Sequence, residues 1–261
     1  MNRYLRRGTL VLMPCVAVVA YVVWSEMANR RDLEALRHRD ATPPPVVEPL
    51  ASESSAAEEE EVELTAEEIL DLATRRWEAI EDYRCTTVVF LRDGDETDEK
   101  VLDVVFKRPS LYRNTVIEGD NLGAVVTLNS EGVIHGKHGG ALSLLVLTLK
   151  PDDKRLQGLR GRRFFETAWG IEIQEIRDAI AEGWQLSRLP DEELDGSACY
   201  VIAVSGETAE SDLTDRQLWI DQQTHLLRRL VDSGSDTLLR DAKFVNVELN
   251  VDPGDEMFRL K

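Results

Sequence analysis

Two histidines stand three apart in His135-Gly136-Lys137-His138, a spacing that on a helix would let both hold one metal ion. The stretch around them is strand-like and glycine-containing, and in a strand positions i and i+3 face opposite ways, so no shared metal is expected. His38 and His225 have no cluster of thiolates or carboxylates beside them. A nucleophile elbow, a phosphate loop and a dinucleotide fingerprint are all absent from the chain. With 49 acidic residues, any pair could be nominated as acid and base, which singles out none. The expectation is a protein that is not an enzyme and needs no cofactor. Cys85 and Cys199 each open a candidate strand. In an oxidising compartment they could form a disulfide, worth roughly 4–5 kcal/mol for so long a loop. The alternative is two small, buried strand residues.

The elements that would carry these residues are mostly strands. Residues 215–250 read as an antiparallel meander: a strand ending Leu218-Trp219-Ile220-Asp221, a return strand over 225–231, a turn at Asp232-Ser233-Gly234-Ser235-Asp236, and a third strand over 238–249. Phe244 is out of phase with Val245, Val247 and Leu249, which predicts a bulge. Upstream, strands are expected over 85–91, 101–107, 124–129, 133–137, 141–149, 185–189 and 198–205, with an acidic turn over 190–196. Leu142-Ser143-Leu144-Leu145-Val146-Leu147 is apolar on both faces and is expected to be covered on both. Thr65-Ala66-Glu67-Glu68 is a capping box, and Ile69, Leu72, Ala73, Trp77 and Ile80 then share one helical face. A second helix is expected within 164–182, with Ile171, Ile176, Ala179 and Ile180 inward and Gly183 as its stop.

The N-terminal quarter is built differently. Arg3, Arg6 and Arg7 precede 17 uncharged residues, 8–24, which would span about 26 Å as a helix. An uncleaved membrane anchor over 1–24 is the preferred reading, with a cleaved signal as the alternative. Residues 25–63 read as an acidic linker, stiffened by Pro43-Pro44-Pro45 and extended by the glutamates at 58–61. As a coil it would reach roughly 35 Å. A globular domain over 64–261 completes the chain. The net charge of −18 argues against nucleic acid and against the domain lying flat on anionic lipid.

Three motifs carry a family resemblance. Leu218-Trp219-Ile220-Asp221 with the Thr224 to Arg229 return, the closing Phe244 to Asn250, and Phe106-Lys107-Arg108-Pro109-Ser110-Leu111-Tyr112 together resemble the outer-membrane lipoprotein carriers, the LolA-like proteins. The resemblance covers roughly 65–260 and is nearest to an exported bacterial branch of that superfamily. It implies an α+β fold: a strongly curved antiparallel sheet, or half-open β-barrel, with two principal helices on its concave face. It also implies that Arg108 holds a helical lid by hydrogen bonds to backbone at the mouth of a cavity, and that Tyr112 helps line that mouth. Phe90, Leu102, Val104, Phe106 and Trp219 are the candidate lining. The function so implied is a periplasmic protein tethered to the inner membrane, single-pass, holding a lipid or lipoprotein acyl chain. The alternative is an envelope sensor using the same fold with another envelope protein as its partner.

Overall fold

A computed structural model describes residues 63–140, 143–207, 212–235 and 237–260. The expected membrane anchor and most of the expected linker lie outside the described residues. Among the described residues, no helix is long and apolar enough to cross a membrane.

The first helix, α1 (Ala66–Glu78), begins where its capping box places it. Glu68 N donates to Thr65 Oγ1 at 3.2 Å, and Thr65 N donates to Glu68 Oε2 at 2.8 Å, so two helix-end donors are satisfied reciprocally. Ile69, Leu70 and Ala73 form its buried stripe. Six strands follow in sequence: β1 (Asp82–Asp93), β2 (Glu96–Lys107), β3 (Leu111–Gly119), β4 (Val125–Leu128), β5 (Ile134–Lys137) and β6 (Val146–Leu149). After a strap of short 3-10 turns comes α2 (Trp169–Ala181). The chain ends in β7 (Gln185–Leu194), β8 (Ser197–Ser205), β9 (Asp215–Asp221), β10 (Leu227–Gly234) and β11 (Thr237–Leu249).

All eleven strands form one open antiparallel sheet in the order β6-β5-β4-β3-β2-β1-β11-β10-β9-β8-β7. Every strand pairs with a sequence neighbour, and β1 with β11 joins the two halves into one sheet. The two helices pack on one face of it, where Ile202, Val204, Leu218, Ile220 and Phe106 join Ile69 and Ile176 in a single core cluster.

Several expected boundaries move. Leu111–Gly119 is a strand that periodicity missed, because Arg113, Asn114 and Thr115 interrupt its apolar pattern. The strand expected over 141–149 begins only at Val146; Ala141 and Leu142 lie outside the described residues, and Leu144 is 95% exposed, so the run is not covered on both faces. The acidic turn at 190–196 shrinks to Asp195-Gly196, because β7 runs on past Pro190 through a register shift between Leu189 and Glu192. The second helix, Trp169–Ala181, lies within the expected 164–182, but Ile171, expected inward, is exposed, and Ile173 is buried in its place. Gly170 has a local reason: a side chain there would strike the Trp77 indole of α1. The bulge in β11 is present, between the partners of Arg84 and Thr86, with Asn246 at φ +52°.

Candidate functional site

The helix-bearing face holds a cavity of about 300 Å³ between the sheet and the strap. Its walls follow from strand alternation and register. On β1, Thr87, Val89 and Leu91 point inward, and on β2, Leu102 and Val104 do the same. Asn114 and Val116 of β3, Val126 of β4 and Leu147 and Leu149 beside β5 extend the floor. These are short or branched apolar side chains, with Asn114 set among them. Cross-strand pairing puts Val104 beside Asn114 and Asn114 beside Val126, all in one row.

The strap, residues 154–167, closes the other side. Leu156 packs on Ile134 and Leu149. Arg160 reaches across to the end of β1, donating to Arg92 O at 3.2 Å, and pairs with Asp212. Thr167 hydroxyl donates to Phe164 O at 2.7 Å and lies 3.0 Å from the Tyr112 hydroxyl, which therefore donates to it. Tyr112 also meets Phe164 edge to face at 5.6 Å. Burial pushes the Tyr112 phenol well above its ordinary pKa, so it remains a donor.

One wall of the cavity is ionic. Arg240 of β11 grips Glu172 of α2 through two bonds, at 2.8 and 2.9 Å, and its Nε donates to Asp232 at 2.8 Å. Arg216 Nε donates to Asp232 at 2.6 Å and Nη1 to Glu175 at 3.0 Å. Arg162 of the strap joins Glu175 at 2.8 Å and Glu172 at 3.2 Å. Three guanidinium groups thus balance three carboxylates, and the network fastens strap, helix and sheet to one another. Burial alone would raise the pKa of Glu172 and of Asp232. The guanidinium groups outweigh it and hold both carboxyls below the usual range.

The expected site residues separate. Leu102 and Val104 line the cavity. Phe106 is on the same face but lies under α1, stacked with Tyr83 at 5.3 Å and meeting Trp77 at a tilt at 5.1 Å. Phe90 alternates with Val89 and Leu91 and so points to the opposite face. Trp219 is also on the opposite face, packed with Cys199 and Val201 and donating to Glu192 Oε2 at 2.8 Å. Arg108 does bond to backbone, Nε to Ile80 O at 2.6 Å and Nη2 to Trp77 O at 2.7 Å. Those carbonyls end α1, however, and Arg108 does not line the cavity; Tyr112 is bonded to the strap, at Thr167. The expected disulfide is not formed. Cys85 sits in the helix-side core and Cys199 in the cluster on the other face, so the sheet separates two free thiols. Burial raises the Cys85 thiol to about 12. His138 lines the cavity while His135 faces away, as alternation requires.

Sequence reasoning missed the strap and the ionic network. A signal for the network was present: Arg216, Asp232 and Arg240 fall in phase with inward Leu218, Leu230 and Ala242, and pair in register across three strands.

No family model matches the chain, and no curated protein matches its sequence. Comparison with solved structures finds loose likenesses. An uncharacterised conserved protein of Thermus thermophilus is 12% identical at a TM-score of 0.48, covering 75% of this chain and 94% of that one. A LolA superfamily protein of Nitrosomonas europaea is 13% identical at 0.37, covering 76% and 99%. The lipoprotein LppX of Mycobacterium tuberculosis is 12% identical at 0.46, covering 71% and 95%. The carrier superfamily that the sequence motifs resemble is thus among the neighbours, and at TM-scores below 0.5 these likenesses carry no argument about function.

Proposed function

We propose that the chain is a binding protein that holds an acyl chain or similar hydrophobe between its sheet and its strap, in the manner of a half-barrel. The observation that carries this reading is the cavity of about 300 Å³, floored by Val89, Leu91, Leu102, Val104, Val116 and Val126. A space of that size, mostly apolar with a few polar groups, is the ordinary form of a small hydrophobic ligand site. Sheet curvature is supported by the core itself. Strands β2 and β9 stand four places apart in the sheet, about 19 Å, yet both contribute to one cluster around helices about 10 Å wide.

Energetics favour capture. Each buried methylene contributes about 0.8 kcal/mol, so two of them outweigh the net worth of about 1 kcal/mol of the Tyr112–Thr167 bond. A ligand can therefore displace the strap's polar tie when it enters or leaves.

The N-terminal sequence supports a second part of the proposal: a tether to the inner membrane with the domain in the periplasm, where the protein would hold its ligand near that membrane. Both parts are testable. Solvent extraction of the purified domain followed by mass spectrometry should recover a hydrophobic molecule in defined stoichiometry; a domain that carries nothing and takes up no added lipid would contradict the reading. A reporter that folds only in the cytoplasm, fused after Lys261, should be silent, and a bright one would overturn the location.

A further inference from the structure

The floor of the cavity contains one residue that a plain hydrocarbon would not satisfy. Asn114 lies in the centre of β3 with Val104 and Val126 as its cross-strand neighbours and Tyr112 and Val116 two positions to either side. Its Oδ1 is buried and has no hydrogen-bond partner. Its Nδ2 makes no hydrogen bond to any described residue either. Two other polar side chains of the lining do have partners: Thr87 meets the Cys85 thiol, and Thr167 pairs with Tyr112 and the Phe164 carbonyl. A buried carbonyl oxygen without a partner is costly, and buried polar groups in proteins are as a rule paired. In an apolar cavity the missing partner is a natural role for the ligand.

We infer that Asn114 reads a polar group set along the bound chain, so that the preferred ligand is an acyl chain bearing a hydroxyl or a secondary amide. An Asn amide offers one acceptor and one donor end, and each of those two groups both donates and accepts. An ester or an unsubstituted tail would leave Oδ1 unpaired. The inference rests on the acyl-binding reading above and specifies it. Lys100 also lines the cavity on β2, paired with Asp98, and Val104, the pairing partner of Asn114, is four residues along the strand from it, about 13 Å. A head group held at the Lys100–Asp98 end would leave Asn114 beside the middle of the chain. The polar group should therefore sit well down the chain, away from the head.

The test is a titration of the full chain with dodecanoic acid and its 2-, 6-, 10- and 12-hydroxy derivatives, each on wild type and on Asn114→Leu. One of the deeply hydroxylated probes, the 6-, 10- or 12-hydroxy acid, should bind wild type about tenfold more tightly than dodecanoic acid, equivalent to about 1.4 kcal/mol. Asn114→Leu should erase that preference and hold dodecanoic acid at least as tightly. Equal affinities for all probes on wild type would overturn the inference while leaving the cavity reading intact, and so would a preference that survives Asn114→Leu. The comparison of probes on wild type stands even if the variant fails to fold. Failure of every probe to bind would remove the acyl-binding reading itself, and the inference with it.

Discussion

One face of one sheet meets two different covers. Toward the Tyr83–Phe106–Tyr112 row, the helices press aromatic rings onto it: Trp169 stacks on Tyr83 at 4.4 Å and nearly parallel, Trp77 lies 5.1 Å from Phe106, and Phe244 meets Trp169 edge-on at 5.8 Å. Toward the Leu91–Leu102–Val116 end, the cover is a strap of short 3-10 turns, and the sheet presents valine, leucine and threonine to an empty volume. The strands are continuous through both regions, so backbone does not distinguish them. The difference lies in the cover: two amphipathic helices of 13 residues each supply stripes of large side chains, whereas three short turns supply one buried leucine, Leu156. The Arg240–Glu172–Arg162 network stands at the boundary and keeps the strap from collapsing onto the floor.

The largest effects should come from cutting the filled region. Trp169→Ala removes a fully buried ring and should cost about 3–5 kcal/mol in denaturant unfolding. Leu102→Ala removes a side chain that already borders empty space, so its cost should be nearer 1 kcal/mol. Equal costs would mean that the two regions are packed alike.

The boundary network comes next. Arg240→Met leaves Glu172 and Asp232 buried without their shared partner and should cost about 3 kcal/mol or more. Both carboxyls have folded-state pKa values below their unfolded ones. Their contribution is therefore complete above the ordinary carboxylate range, about pH 4, and is lost as pH falls through the folded values. Wild type should lose stability steeply below about pH 4, and Arg240→Met should lose much less over the same interval. Parallel acid profiles would place the acid sensitivity elsewhere.

Smaller effects separate the two tyings. Arg108→Leu deletes two charged hydrogen bonds to the end of α1 and should cost roughly 2 kcal/mol, with the release rate of a bound acyl probe unchanged. Tyr112→Phe deletes only the bond to Thr167, about 1 kcal/mol, yet should hasten release because that bond holds the strap. The reverse pattern in stopped-flow release would restore Arg108 as the latch.

Much of this was legible in the chain. The capping box at Thr65, the meander over 215–250 and the bulge near Phe244 are local signals, and each is where sequence reasoning put it. Which face of a strand meets the cavity was not legible where both faces are buried: Leu218, Trp219 and Ile220 are all nearly inaccessible, so periodicity cannot orient Trp219. Phe106 faces the correct way, but only the crossing of α1 and α2 reveals that aromatic rings cover it. The strap has no periodicity at all, and its role follows from where its ends are tied.

The most direct test of the open region is to fill it. Val116→Phe projects a ring into the cavity, and Ile173→Phe makes a comparable enlargement in the filled region. Titration of both variants and wild type with a fluorescent acyl probe, with unfolding curves alongside, is the decisive measurement. The account predicts saturable one-to-one binding to wild type, its loss in Val116→Phe with stability changed by under about 1 kcal/mol, and unaltered binding in Ile173→Phe with a loss of about 1–3 kcal/mol. A Val116→Phe protein destabilised as much as Ile173→Phe, or one that still binds the probe, would contradict it.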